Sequence, residues 1–513
     1  MKKLVSFVSV FLAVLLLSLA QPAYAEDGKR NWQDETIYFI MIDRFANGDP
    51  TNDFDVNTQD PYAYHGGDFQ GIIDKLDYIE QLGFTAIWLT PIFDNSEKGY
   101  HGYWIVDFYN TEEHFGTIEE FKQLVEEAHR RDIKVIIDFV VNHTSPEHPW
   151  LDEPEKADWF HERKEIMNWD DPEQLETGWI YDLPDLAQEN PEVADYLIEA
   201  AKWWIRETNI DGFRLDTVKH VPLHFWERFA REVKAVKENF YLLGEVWVEH
   251  PLHIAPYLEA GLDGATDYPL YQTLVDTFSE PNHSLKAAFQ ALERNAAIYE
   301  HPELMGKFID NHDNPRFTYF VTSKNYHPEP RWKQALTFMY TTPGIPIIYY
   351  GSEIALNGGS DPDNRRMMEF HTNVELVEFI SKLGSIRKTY PSLTRGELDV
   401  LYEDGGMAIY KRTYKDETTI IALNNTTEKQ IVPLREEDIG TGMELAGVLN
   451  GDLVKVNQGQ YTFVINPEES EIYLVKPATG LNYFTLFVSI GIFVVFIMFI
   501  YFARKRGERM NQQ

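Results

Sequence analysis

The stretch Val135-Ile136-Ile137-Asp138-Phe139-Val140-Val141-Asn142-His143 decides the fold. It is an apolar run of strand length that ends abruptly in polar side chains. Working outward, comparable runs recur at 37–42, 86–90, 212–215, 241–244, 264–267, 307–309 and 346–350. Between them lie segments with helical periodicity, at 72–82, 118–131, 191–207, 223–237, 284–299, 331–341 and 374–388. Strands alternating with helices imply parallel βαβ units. Eight strands so spaced predict an α/β fold of the (β/α)8 TIM-barrel kind. A doubly wound parallel sheet is the alternative from pattern alone.

One connection exceeds a turn. Residues 144–190 are rich in Trp, Asp, Glu and Pro, and loops of that length are uncommon without a function. They read as a small inserted domain after the third strand, dividing the barrel into 26–143 and 191–390. Beyond residue 391 the pattern changes to short alternating strands, at 408–413, 418–424, 447–449 and 471–475. This predicts a C-terminal β-sandwich over 391–477.

The two ends carry targeting patterns. Lys2 and Lys3 precede an apolar run over 4–20 and then Ala23-Tyr24-Ala25, a secretory signal spanning 1–25. Residues 483–503 are uncharged and mostly apolar. At 1.5 Å per residue they would span roughly 30 Å as a helix. Arg504, Lys505, Arg506 and Arg509 follow, which places 504–513 in the cytoplasm. The expectation is a single-pass protein with its body on the extracellular face of the cell membrane, whether or not processing later releases it. The 513 residues include no cysteine and carry a formal net charge of -36. Disulfides and thiol chemistry are excluded. A nucleic-acid partner is not expected, because nothing would replace phosphate counterions.

In a TIM barrel the chemistry gathers at the C-terminal ends of the strands. Polar groups fall there in four runs: Asp138 to His143; Gly212-Phe213-Arg214-Leu215-Asp216 with Lys219 and His220; Gly244-Glu245-Val246-Trp247; and Asp310-Asn311-His312-Asp313. Each alone could be structural, but four in order on one rim are not explained that way.

These runs resemble the four signature regions of glycoside hydrolase family 13, the α-amylase family. The segments 83–91, 100–104, 183–186 and 344–349 extend the likeness over about residues 35–390. The resemblance implies an endo-acting hydrolase of α-1,4-glucans such as starch and maltodextrins. It makes Asp216 the nucleophile, Glu245 the general acid/base and Asp313 the transition-state stabiliser. It places His101, Tyr103, Trp104, His143, Arg214, Lys219, His220, His312, Asp361 and Arg365 around the sugar. Arg214 is expected to hold Asp216 ionised by lowering its pKa, and Glu245 is expected to be raised.

Two calcium ions are expected. The loop Asn47-Gly48-Asp49-Pro50-Thr51-Asn52-Asp53 offers oxygen ligands from Asn47, Asp49, Asn52 and Asp53. It resembles a family calcium loop completed by a Gly-Gly-Asp run, here with Gly66 and Asp68. The second set implied by the resemblance is Asn142, Asp185 and the His220 carbonyl. Within the same family, cyclomaltodextrinase-like, neopullulanase-like or transglycosylating activity is the alternative. An inactive, membrane-tethered binding protein is a remote one, since all three carboxylates are present.

Overall fold

The computed structural model describes residues 30–370, 373–478 and 491–501. Eight strands form the central sheet: β1 (Ile37–Ile40), β2 (Ala86–Leu89), β5 (Lys134–Phe139), β6 (Gly212–Leu215), β7 (Tyr241–Gly244), β8 (Gly264–Ala265), β9 (Gly306–Lys307) and β10 (Ile345–Tyr349). Two further strands, β3 (Phe93–Asn95) and β4 (Ile105–Thr111), make an antiparallel pair beyond β2. Sheet order is β8-β7-β6-β5-β2-β1-β10-β9. Every neighbouring pair in it is parallel. A parallel bridge between Thr266 and Gly306 joins the two ends, so the sheet closes into a barrel. β1, β2, β6, β7 and β10 are buried along their whole length. That is why they read as unbroken apolar runs rather than alternating ones.

Helices cover the barrel: α1 (Phe69–Gln81), α2 (Ile118–Arg130), α3 (Pro191–Thr208), α4 (Leu223–Val236), α5 (Tyr268–Phe278), α6 (Lys286–Ile298), α7 (Phe317–Ser323), α8 (Pro328–Thr341) and α9 (Val374–Thr389). Their starts follow side-chain chemistry. Thr117 and Glu120 form a reciprocal capping box before α2. Asn190 caps α3 ahead of Pro191 in its first turn. The sequence pattern did not predict α5. Eight of its eleven residues are buried, and its polar stripe is only Gln272, Thr273 and Asp276, a short signal beside so many apolar residues.

The long connection after β5 is built of short turns and one short helix, Pro172–Thr177. Single bridges tie His143 to Asp185 and Phe160 to Leu186, and Ile166, Leu175 and Ile180 make a small core of their own. After the barrel, eight strands form the C-terminal domain: β11 (Glu397–Asp404), β12 (Met407–Tyr414), β13 (Glu417–Asn424), β14 (Gln430–Arg435), β15 (Met443–Gly447), β16 (Leu453–Lys455), β17 (Gln460–Ile465) and β18 (Ser470–Pro477). Six make one sheet, β11-β12-β13-β18-β15-β16, and β14 pairs with β17. Val432, Leu434, Tyr461 and Phe463 of that pair pack on Ile409, Ile420, Leu445 and Tyr473 of the sheet. The strand expected at 447–449 is instead β15, ending at Gly447.

The membrane reading is corrected. Among the described residues no helix is long and apolar enough to cross a membrane. Of the expected span, residues 491–501 are helical. Residues 483–490, 502–503 and the tail 504–513 lie outside the described residues, as does the expected signal 1–25. The single-pass placement on a cell membrane is therefore withdrawn.

Candidate active site

Strand register brings the acidic groups together. Asp138 of β5 pairs with Arg214 of β6, and Leu215 pairs with Gly244 of β7. Asp216 and Glu245 each come one residue later, so they leave adjacent strand ends at the same level. Both are buried, as are Asp138 and Arg214. Arg214 Nη1 donates to Asp216 Oδ1 at 2.7 Å and to Asp138 Oδ1 and Oδ2 at 2.9 and 3.0 Å. Its Nη2 pairs with Glu245 Oε1. One planar guanidinium thus serves three carboxylates.

Thr217 ties the two strand ends a second time. Its hydroxyl donates to Asp216 Oδ2 at 3.0 Å and its backbone N–H to Glu245 Oε2 at 3.1 Å. It sits at φ 45°, ψ 41°, a left-handed conformation that a β-branched residue rarely adopts. Tyr268 at the start of α5 donates to Glu245 Oε1 at 3.2 Å and accepts from Asn311 Nδ2 at 3.2 Å.

The third carboxylate, Asp313, follows β9. His312 Nε2 and Arg365 Nη2 lie 3.4 and 3.5 Å from its oxygens. Arg365 also pairs with Asp361 at 3.1 Å. Tyr103 stacks on His312 with ring centroids 5.3 Å apart and donates to Asp138 Oδ2 at 2.8 Å. Gly102 permits the loop before it. Its φ is +89°, and a Cβ there would lie 2.3 Å from the Pro91 carbonyl. His101 accepts from the Tyr103 N–H and packs edge-on against Trp104. Asp216, Glu245, Asp313, Thr217, Tyr103, Trp104, Asp361, Arg365, Lys219 and the histidines His101, His143, His220 and His312 line a cleft of about 1060 Å³.

Burial raises Asp216, Glu245 and Asp313 above the ordinary carboxylate range. This corrects the expectation for Asp216, because desolvation outweighs the opposing pull of Arg214. The two working carboxyls still differ. Desolvation and the Arg214 charge act on both. The Asp313 charge adds to the rise at both; at Asp216 the Arg214 and Thr217 hydrogen bonds favour the charged form, whereas at Glu245 the charge of Asp216 raises it further. Desolvation also lowers His143 and His220 to about 4 and His101 and His312 well below their usual value. They are neutral at pH 7. His143 Nε2 and His312 Nδ1 are buried without a protein partner.

The expected calcium ligands divide by geometry. Asn142 Oδ1 and Asp185 Oδ1 are buried oxygens with no donor, beside the His143–Asp185 bridge that links β5 to the insert. An uncompensated pair of buried oxygens fits a hard cation. In the 47–53 loop, Asn47 donates to Asp53. Gly66 abuts both, since a Cβ there would lie 2.6 Å from Asn47 Nδ2 and 2.7 Å from Asp53 Oδ1. Asn52 Oδ1 is buried without a partner. That oxygen could meet a cation, whereas both Asp53 oxygens already accept from Asn47, and the same holds, with backbone donors, for Asp68. Its two oxygens already accept the N–H groups of Gly48, Asp49 and Gly71, and it caps α1. Asp49 turns its carboxylate to the Thr51 N–H.

The sequence reading assigned no role to Asp138, Thr217, Tyr268 or Asn311. Asp138 and Asn311 stood inside quoted runs, whereas Thr217 and Tyr268 acquire their places only through backbone geometry and α5. Lys219 donates to the Trp247 carbonyl at 3.0 Å, which joins the fourth and fifth strand ends on the Glu245 side.

Paired carboxyl groups on adjacent strand ends, in a cleft walled by aromatic rings and neutral imidazoles, define a carboxylate-based glycoside hydrolase. The comparisons agree. The family model for the α-amylase catalytic domain matches residues 39–391, and that for the α-amylase C-terminal domain matches 396–473. An α-amylase from Anoxybacillus superposes with a TM-score of 0.87 at 57% identity, covering 88% of this chain and 100% of that one. A Geobacillus thermoleovorans α-amylase, solved with acarbose, gives 0.85 at 53% identity over the same shares. The β/α-amylase of Paenibacillus polymyxa is 38% identical over 86% of this chain, which spans only 38% of that relative's length. A cyclomaltodextrinase from Thermoanaerobacter pseudethanolicus is 34% identical over 79% of this chain and 72% of its own. Neopullulanase 2 of Thermoactinomyces vulgaris is 34% identical over 86% and 78%. The chain belongs to glycoside hydrolase family 13, the α-amylase family.

Proposed function

We propose that this enzyme hydrolyses α-1,4-glucosidic bonds of maltodextrins with retention of configuration, and that short and cyclic maltodextrins are its preferred substrates. The observation that carries the chemistry is the single Arg214 guanidinium bonded to both Asp216 and Glu245. Neighbouring strands lie about 4.8 Å apart, close to the roughly 5–5.5 Å between carboxyls in retaining glycosidases. Asp216 attacks the anomeric carbon while Glu245 protonates the departing glycosidic oxygen. Glu245 then takes a proton from water, which attacks the same carbon and frees Asp216. Asp313 and the neutral histidines bind sugar hydroxyls. The names of the relatives support the preference for short and cyclic substrates.

A second reading, internal cleavage of starch, is favoured by the two solved α-amylases that align over their full length. Parallel assays on a cyclodextrin and on soluble starch separate the two. Faster release of reducing ends from the cyclodextrin supports the first. Rapid loss of iodine staining with few new ends, and slow cyclodextrin cleavage, supports the second. No cleavage of either overturns both.

The same assignments set a pH dependence. Activity is lost as pH falls and Asp216 takes up a proton, and lost as pH rises and Glu245 gives one up. Because burial raises both groups, both limbs of kcat/KM should lie above the ordinary carboxylate value of about 4. An acid limb at or below that value would contradict the assignment.

We also infer that Asn142, Asp185 and the His220 carbonyl hold a calcium ion that clamps the insert to the barrel. Chelator should lower Tm by several degrees, and Asn142→Ala should abolish most of that response. A melting midpoint indifferent to chelator would remove the site from the account.

A further inference from the structure

Thr217, like Arg214, reaches both working carboxyls, and it does so with two separate groups. Its hydroxyl donates to Asp216 Oδ2 at 3.0 Å, and its backbone N–H donates to Glu245 Oε2 at 3.1 Å. The two oxygens of Asp216 are thereby divided. Oδ1 accepts from the Arg214 guanidinium at 2.7 Å, whereas Oδ2 meets a neutral hydroxyl. A charged donor holds its acceptor more firmly than a neutral one, so Oδ2 is the oxygen freer to bond to carbon. Thr217 itself lines the cleft, which puts its hydroxyl beside the reacting atoms.

The backbone argues that this hydroxyl is there for use. At φ 45° and ψ 41° a β-branched side chain is among the least suitable, and glycine would adopt the turn without strain. The surrounding main chain imposes the conformation. The Glu245 N–H donates to the Leu215 carbonyl at 2.8 Å, the Val218 N–H to the Glu245 carbonyl at 3.0 Å and the His220 N–H to the Thr217 carbonyl at 2.9 Å. Trp226 Nε1 donates to the Val218 carbonyl at 3.0 Å. None of these bonds uses the threonine side chain, and glycine would keep them all. What threonine adds is a hydrogen bond to the nucleophile, and strain of this kind concentrates at functional sites.

We propose that the Thr217 hydroxyl sets the balance between forming the glycosyl-enzyme and releasing it, by favouring the charged Asp216 that the second step regenerates. The inference rests on the retaining-hydrolase reading above. In the first step Asp216 Oδ2 bonds to the anomeric carbon and gives up its charge, and a donor on that oxygen opposes the change. In the second step the oxygen of water bonds to the same carbon and its proton passes to Glu245. The bond from carbon to Asp216 breaks, and its electron pair returns to the carboxylate. A donor waiting there favours that return, and Thr217 keeps its own proton throughout. Burial raises Asp216, and the Thr217 hydrogen bond is one of the contacts that oppose the rise. The N–H on Glu245 belongs to the main chain and survives every side-chain substitution, so variants at this position isolate the hydroxyl.

The test compares Thr217→Val, Thr217→Gly and Thr217→Ser on α-maltosyl fluoride, whose good leaving group makes breakdown of the glycosyl-enzyme the slow step. A hydrogen bond to a charged group is worth about tenfold or more, so kcat of Thr217→Val should fall about tenfold. Its kcat/KM, which reports the first step, should stay within about threefold of wild type, so KM falls with kcat. Fluoride release should show a burst of about one equivalent per enzyme before the slow phase. Thr217→Gly should behave alike with an undiminished Tm, since glycine relieves the left-handed turn, which separates the effect from a folding defect. Thr217→Ser should restore wild-type kinetics. The acid limb of kcat/KM should move to higher pH in the valine and glycine variants and not in the serine one. Equal losses in kcat and kcat/KM, the lack of a burst, or a serine variant that behaves like the valine one would overturn the proposal. The anomer of maltose first released by the wild type, followed by NMR, tests the reading beneath it. The β-anomer would remove the retaining mechanism and the role of Thr217 with it, whereas the α-anomer with an unaltered balance in Thr217→Val would sink that role alone.

Discussion

Glu245→Gln and Asp216→Asn should each reduce turnover on maltodextrins by orders of magnitude while leaving the fold intact, because each exchange preserves shape. The two losses should nevertheless differ in kind. Positioned acid–base catalysis contributes about 10²–10⁴-fold, and Glu245→Gln removes that share alone. A substrate whose leaving group needs no proton should therefore recover glycosyl transfer to Asp216, visible as a burst before slow hydrolysis. Asp216→Asn removes the atom that forms the covalent bond, so a better leaving group should restore nothing, and the loss should reach about 10⁴-fold or more. Rapid kinetics on α-maltosyl fluoride and maltoheptaose distinguish them. Near-normal rates in either variant, or the reverse pattern of recovery, would overturn the assignments.

Arg214→Leu should be the most destabilising single change in the site. The guanidinium is buried among Asp138, Asp216 and Glu245. Breaking a buried ion pair by deleting one partner costs about 3–5 kcal/mol, and here three carboxylates lose one cation. The sign with pH follows. Burial raises Asp138, to about 7, as well as Asp216 and Glu245, and removing Arg214 raises all three further. Groups whose folded pKa exceeds the unfolded value contribute stability below the unfolded value and lose it as pH rises through the folded one. The Tm deficit of Arg214→Leu relative to the wild type should thus widen from pH 5 to pH 8. Arg214→Lys should not restore activity, because a point charge cannot span three carboxylates as a planar fork does. A deficit that narrows with rising pH would show that the carboxylates do not depend on Arg214.

How much of this was legible in the sequence depended on periodicity. Strands buried on both faces are unbroken apolar runs, and β1, β2, β5, β6, β7 and β10 were visible for that reason. β8 and β9 hold two residues each, too few for any pattern, and only their neighbourhood was predicted. α5 was missed because its polar face is reduced to Gln272, Thr273 and Asp276. In the C-terminal domain the pattern found β12, β13 and β18, but not β14 and β17, where Ile431 and Val464 are exposed apolar residues that blur the alternation. The rim residues of the cleft were legible because they follow strands in a fixed order. The direction of the Asp216 pKa was not, because a sequence shows the neighbouring arginine but not the depth of burial.

The pairing of Leu215 with Gly244 divides what this enzyme can change from what it cannot. The spacing of the Asp216 and Glu245 backbones is inherited from the main chain, and no side-chain substitution along β6 or β7 can stretch it. Stereochemical outcome is accordingly a property of the scaffold. The insert over 144–190 stands outside that scaffold, so its residues can change without disturbing the handedness of the product.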